Sequence, residues 1–274
     1  MSILEAIIFG VIQGITEFLP VSSSAHIVIT ELLLGYQFPG LAFEIFLHLA
    51  SVLAVCIYFR KDLAEIILGF FTYLINRNKQ ARIQYYFGLY IITATLITGV
   101  LGVWLKDHVG DSMKTPASIS FFLAVTGLFL IIIERLKVYG SRTQVEMSFK
   151  DAVIVGLGQT IAILPGISRS GATLVASLWV GLSRDTAVRY SFLLAIPIIL
   201  GSSVLMLDRV SREIWFEIGP VSLVLSFVCT FIFSWIGIVW LIDFLKKSRL
   251  IYFAAYCFIL AVMVYLFVDP DVNF

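Results

Sequence analysis

The sequence predicts an all-α polytopic membrane protein: about six transmembrane helices plus two re-entrant helix–loop–helix hairpins, arranged as an inverted repeat. Three observations carry that expectation. Apolar residues make up 60% of the chain and charged residues 14%, where a soluble domain carries about a quarter charged; mean hydropathy is +1.00. The hydrophobic runs come in two lengths, long enough to cross a bilayer and too short to do so. Finally, two polar segments broken by proline occupy matching places in the two halves.

The first short pair covers residues 3–19 and 25–34, hinged at Pro20. Between its apolar arms lies Gln13-Gly-Ile-Thr-Glu-Phe-Leu-Pro-Val-Ser-Ser-Ser-Ala-His26. An amide, a carboxylate, three hydroxyls and an imidazole are costly in a membrane unless buried in protein or lining a wet cavity. The second short pair, 152–164 and 171–182, is hinged at Pro165 and carries Gln159, Ser168, Arg169, Ser170 and Thr173. At about 1.5 Å rise per residue these pieces cover roughly half to most of a bilayer. Each pair therefore reads as a hairpin. Ala6, Gly10 and Gln13 recur at the spacing of Ala152, Gly156 and Gln159, and Leu19-Pro20 recurs as Leu164-Pro165.

Long runs at 41–59, 85–105, 116–133, 190–207, 220–242 and 251–268 are each near the length of a spanning helix. Residues 63–76 form a modest amphipathic stretch read as an interfacial helix. Each hairpin is followed by three long helices, and three being odd, the second copy sits upside down. A single integral-membrane domain over 1–274 follows, with repeats at about 1–136 and 147–270. Of the nineteen Lys and Arg, Lys106, Lys114, Arg209 and Arg212 fall on the side holding both termini. Arg169 lies inside the second motif, and the remaining fourteen fall on the other side, which the positive-inside rule makes cytoplasmic.

Composition also excludes. Cys56, Cys229 and Cys257 stand singly in apolar runs, with no CxxC or Cys/His cluster, so neither a metal nor a disulfide role is expected. Residues 1–20 lack a basic leader and a small-residue cleavage site, and read as mature chain rather than a signal peptide. Walker A, GxSxG, HExxH and GxGxxG patterns are missing. The basic residues sit in membrane flanks, which leaves nucleic-acid binding without support.

Gln13 and Glu17 are four apart and project from one helix face; Gly10 and Gly14 beside them permit close helix approach. Glu17 reads as a cavity-lining metal ligand or base. One of Ser22, Ser23 and Ser24 is expected to cap the following helix, whose free N–H groups make an anion site. His26, about one turn inside, suits acid/base or nucleophilic work. Arg169, between serines and glycines, suits a phosphate cradle, and Thr173, four residues on, shares its helical side. Glu44 and His48 are another i,i+4 pair, serving either a supporting shell or each other. The two broken segments are expected to meet and form one anion site.

With these residues in place, the chain resembles the bacterial undecaprenyl-diphosphatase family, known for bacitracin resistance. The matching stretches are residues 13–26, Leu164-Pro-Gly-Ile-Ser-Arg-Ser-Gly-Ala-Thr173 and Phe43-Glu-Ile-Phe-Leu-His-Leu-Ala-Ser-Val-Leu-Ala-Val55, and the likeness runs nearly end to end. The resemblance implies hydrolysis of undecaprenyl diphosphate to the monophosphate outside the bacterial cytoplasmic membrane, recycling the lipid carrier of cell-wall synthesis, with a divalent cation such as Mg²⁺ or Ca²⁺. It places catalytic roles on Glu17, His26, Arg169 and Ser23; the reading of the residues adds substrate binding by Gln13, Ser22, Ser168, Ser170 and Thr173 and a metal role for Glu17. The sequence departs from the family pattern at Gln13, which is Glu in some members. It departs again at His48 and Ala50, where Gln and Gly are more usual. Expected partners are the polyprenyl diphosphate and membrane lipids; a homodimer is left open. The competing expectation is a lipid-phosphate flippase or transporter, since inverted repeats with broken helices also build carriers.

Overall fold

The computed structural model describes residues 1–36, 42–105, 113, 115–136, 140–205, 218–247 and 249–268. These residues form helices and no named strand, with one isolated bridge between Arg142 and Leu182. The first hairpin is α1 (Ile3–Thr16) and α2 (Ser23–Leu34). Next come α3 (Ala42–Tyr58), α4 (Arg60–Asn76), α5 (Arg82–Leu105) and α6 (Pro116–Leu136). The second hairpin is α7 (Phe149–Ile161) and α8 (Arg169–Trp179), followed by α9 (Arg184–Leu205), α10 (Pro220–Lys247) and α11 (Ile251–Phe267).

By length and composition four of these helices can cross a membrane, α5, α6, α9 and α10, and α3 with α4 makes up to five if the pair is one broken span. The chain is a multi-pass membrane protein. The 41–59 run ends at a 77° bend into α4, so the amphipathic stretch is a distinct helix that begins at Arg60. The 251–268 run yields 17 helical residues, short beside its neighbours.

Local chemistry sets the hairpins. Ser2 and Glu5 form a capping box that starts α1, and Ser148 and Asp151 do the same for α7. Pro20 and Pro165 each follow a helix end by a few residues, where proline cannot continue the turn. Each hairpin mouth is tied shut at its own face. Tyr36, just past α2, donates to Glu5 at the start of α1 over 2.6 Å. At the other mouth Arg142 donates to both oxygens of Asp151 in α7, at 3.1 and 2.6 Å, and to the carbonyl of Val180 after α8 at 2.7 Å.

Those two mouths lie at opposite ends of α10. Ser222, at its start, bonds the Met1 carbonyl; Leu245, near its other end, accepts from Arg184. Arg184 also pairs with Glu134 and Arg189 with Asp62, so these cations gather at the second face. The four cations expected at the opposite face, Lys106, Lys114, Arg209 and Arg212, lie outside the described residues, as does Lys137. Helix pairing between the halves is reciprocal: α1 packs on α10 while α7 packs on α5, α3 on α10 while α9 packs on α5, and α6 packs on α11. Glycine permits close approach at matching places in the two halves. A Cβ at Gly14 would meet the Thr230 carbonyl of α10 at 2.7 Å, and one at Gly156 would meet Ala94 of α5 at 2.9 Å.

Candidate active site at the hairpin tips

The hairpin mouths lie at opposite ends of α10, and their turns meet inside the protein. The carbonyl of Leu19, in the first turn, accepts from Ser170 at 2.9 Å and from Ser168 at 3.4 Å. A buried carbonyl three residues past a helix end has lost its helical partner, and the Val21 N–H at 2.8 Å together with two hydroxyls from the other half replaces it.

Glu17 is the centre of the site. It caps the C-terminus of α1 and is 4% exposed. One carboxylate oxygen, Oε1, pairs with Nη2 of Arg169. The other, Oε2, accepts from Gln13 Nε2 at 2.8 Å and Ser23 Oγ at 2.7 Å, and lies 3.0 Å from His48 Nε2. A carboxylate offers about four acceptor positions, and four protein groups surround this one, three of them on Oε2. The expected i,i+4 meeting of Gln13 and Glu17 is observed, as is the convergence of Glu17 with Arg169 from the other half. His48 joins them. It reaches Glu17 across the fold, beyond what its i,i+4 spacing to Glu44 indicated.

Arg169 is the first residue of α8, whose N-cap Ser168 accepts from the Gly171 N–H. The guanidinium thus sits at a helix N-terminus with hydroxyls at Ser168 and Ser170, which are 3.1 Å apart. Gly166 takes φ +100° in the turn before it, and a Cβ there would also press on the Ile119 carbonyl, so only glycine fits. Thr173 shares the helix but turns its hydroxyl to the Arg169 and Ser170 carbonyls and is fully buried. It supports the backbone of α8 rather than lining the space beside Arg169.

Of the three serines, Ser22 is the cap of α2 and takes φ +68°, a strained conformation for a residue with a side chain. Ser23 starts α2 and gives its hydroxyl to Glu17. His26 stands apart from that cluster. Its Nδ1 lies 2.7 Å from the Ser22 carbonyl, which can only accept, so Nδ1 carries the proton. Nε2 is then the basic nitrogen in the neutral ring, and it accepts from the Tyr256 hydroxyl at 2.7 Å. The two rings stack at 5.6 Å with 3° between their planes. Neither Glu17 nor Ser23 is a hydrogen-bond partner of His26 among these contacts, so the carboxylate orients His48 and Ser23 instead. Tyr256 carried no sequence signal, being one aromatic in an apolar run 230 residues away.

A divalent cation needs several oxygen ligands. Among the described residues no three His, Cys, Asp or Glu side chains converge, and every group around Glu17 is a hydrogen-bond donor. Gln13 Oε1 is buried and unpartnered, but a single neutral oxygen beside Glu17 does not make a coordination shell. The residues present do not fit a cation caged by side chains.

The comparisons agree with the motifs. The family described as Bacitracin resistance protein BacA matches residues 6–263. The chain is 60% identical over 274 residues to Undecaprenyl-diphosphatase 2 of Halalkalibacterium halodurans, covering 100% of this chain and 99% of that protein. It is 53% identical over 270 residues to Undecaprenyl-diphosphatase 1 of Shouchella clausii, at 98% of each. To the Undecaprenyl-diphosphatase of Oceanobacillus iheyensis it is 38% identical, at 97% of each. With a match across nearly its whole length and the motif residues gathered at one point, this chain belongs to the bacitracin resistance protein BacA family.

Proposed function

We propose that the chain is an undecaprenyl-diphosphate phosphatase of the bacterial cytoplasmic membrane, working at a site open to the outer face. The observation that carries this reading is the Arg169–Glu17–Ser23 constellation, which joins an anion-binding guanidinium to a serine hydroxyl through one buried carboxylate. The names of its relatives supply the reaction class.

Arg169 and the N-terminus of α8 hold the terminal phosphate and offset the charge that develops as it transfers. Ser23, held by Glu17, sits at the opposite side of that charge as nucleophile or as anchor for an attacking water. His26 moves the proton at Nε2. As the P–O–P bridge breaks, undecaprenyl phosphate leaves with the bridging oxygen; water bonds the terminal phosphorus directly, or hydrolyses the phosphoserine formed on Ser23, and inorganic phosphate is released. No step is assigned to a metal.

Reciprocal packing of the halves supports the inverted-repeat reading, with six crossing segments if α3–α4 and α11 both span, in one integral-membrane domain. That same packing favours a second reading, a lipid-phosphate carrier. Phosphate release from undecaprenyl diphosphate by detergent-purified protein separates the two. Release that vanishes in Ser23→Ala and Arg169→Ala, while both proteins stay folded, is the expected result; binding without release would leave the carrier.

A further inference from the structure

Ser191, on α9, is a buried serine whose hydroxyl is unspent. Its Oγ is sealed from solvent and finds no hydrogen-bond partner among the described residues. A serine inside a helix ordinarily gives its hydrogen to a carbonyl about one turn back. The other two serines of α9 do so, Ser202 and Ser203 both donating to the Ile199 carbonyl, at 2.9 and 2.8 Å. Buried polar side chains are paired in the large majority of cases, so this orphan points to a guest.

What lies beside Ser191 says which guest. It shares the wall of a cavity of about 20 Å³ with Arg169 and Ser170 of the second hairpin. Six buried side-chain atoms have no partner among the described residues, and Ser191 Oγ is the one in that wall. Most of the wall is apolar and buried: Phe18, Leu174, Phe192 and Leu241 are each at most 5% exposed. About 10–15 Å³ suffices for one oxygen-sized guest, so the space admits a single oxygen and not a whole phosphate.

We infer that Ser191 is a further catalytic residue, whose hydroxyl and the Arg169 guanidinium form a pocket for one non-bridging oxygen of the terminal phosphate. This rests on the phosphatase reading and adds a residue to it. A guanidinium can only donate, and Ser191 has a hydrogen to give, so the pair suits an acceptor that carries charge. A water would bring two hydrogens of its own, and no carboxylate or amide side chain stands in the wall to take them. In the transfer, the attacking oxygen bonds the terminal phosphorus and the bridging oxygen departs with undecaprenyl phosphate. Charge is meanwhile spread over the three non-bridging oxygens. Donors fixed in an apolar pocket stabilise such charge more than water does. Ser191 keeps its proton throughout and contributes a hydrogen bond alone.

The test is a pair of variants of the full chain in detergent. Ser191→Thr keeps the hydroxyl and Ser191→Val puts a methyl of similar size in its place, so any crowding is common to both. In Ser191→Val and Ser191→Ala, kcat per folded molecule should fall about ten- to hundredfold with KM little changed, as for loss of a hydrogen bond to a charged group. The factor should be the same on undecaprenyl and farnesyl diphosphate, and Ser191→Thr should stay close to the parent. Ser203→Ala removes a hydroxyl bonded within the same helix and is the control, with an unchanged rate. Orthovanadate, which takes up the five-coordinate geometry of phosphoryl transfer, adds a readout without turnover. Its affinity, followed by vanadium NMR, should drop in Ser191→Val and hold in Ser191→Thr. Equal rates and equal vanadate affinities in the Thr and Val variants would overturn the inference, make water the guest of the cavity, and leave the phosphatase reading intact. A loss confined to one of the two diphosphates would overturn it as well, since the effect would then follow the chain and not the phosphate. A parent protein that releases phosphate from neither diphosphate would instead sink the phosphatase reading, and this inference with it.

Discussion

Removing Arg169 should cost stability and activity together, but the two should part when Glu17 is changed as well. In the native protein the Glu17 carboxylate is buried and holds Arg169 through Oε1, with Gln13, Ser23 and His48 on Oε2. Arg169→Ala strips one oxygen of its cation and leaves a charge in the interior. Breaking a buried pair in this way costs about 3–5 kcal/mol. The lower end applies here, since the Arg169 side chain is 18% exposed and the second oxygen keeps its neighbours. Glu17→Gln makes the converse defect, a guanidinium without its anion, at a similar cost. In the double variant neither charge is stranded. The two penalties should therefore overlap by about 2 kcal/mol, within the range for contacting residues. The assay is a double-mutant cycle on unfolding in detergent, run beside phosphate release. The double variant should lie about 2 kcal/mol above the stability that the summed penalties predict, while hydrolysis shows no such gain, because the phosphate has lost its clamp. Strict additivity of the two penalties would show that Glu17 and Arg169 do not act as a pair, and recovered hydrolysis would show that neither touches the reacting phosphate.

Gly14→Ala should destabilise by about 1–3 kcal/mol through overpacking, because the new Cβ meets backbone atoms of α10; Gly99→Ala, with nothing within 4 Å, is the control, and thermal unfolding of both in detergent decides it. Arg142→Ala should cost about 2–3 kcal/mol by leaving buried Asp151 without its charged donor, read as a lowered Tm with the rate per folded molecule nearly unchanged. His48→Gln keeps a donor for Glu17 and should hydrolyse close to the parent rate, while His48→Leu should lose about ten- to hundredfold, the value of a hydrogen bond to a charged group. Gln13→Glu sets a second carboxylate beside Glu17, and Mn²⁺ binding measured by electron paramagnetic resonance should appear in that variant and be weak in the parent; tight binding by the parent would contradict the donor set described above.

Much of this site was legible because polar residues in an apolar chain have few reasons to be there. Gln13, Glu17 and Arg169 stood out against their runs, and the proline-broken repeats placed them at matching tips. Tertiary choices were not legible. Spacing along α3 offered His48 the neighbour Glu44, yet the packing of α3 against the first turn brings His48 to Glu17. Spacing put Thr173 on the side of Arg169, but a threonine inside a helix readily turns its hydroxyl to the carbonyl one turn back, as it does here. Ser168 and Ser170 looked like phosphate ligands, and in the structure both hydroxyls bridge to Leu19, so they join the hairpins as well as flank Arg169. The break between the 41–59 span and the amphipathic stretch was legible from hydropathy, but the 77° bend at Phe59 and Arg60, made without proline, was not.

A buried ion pair is weak evidence for stability, since apolar replacements of similar volume often do as well. Four donors on one carboxylate, drawn from α1, α2, α3 and α8, therefore call for another reason. A guanidinium has five N–H donors in a fixed plane, and Glu17 engages Arg169 at Nη2. The carboxylate holds one edge of that plane and leaves the rest of the fork for a second anion. A diphosphate binding there need not displace Glu17, and Ser23, tied to the same carboxylate, stays in register with the phosphate. The constellation is thus a positioning device whose parts come from both halves of the chain, which is why it forms only when both hairpins are in place.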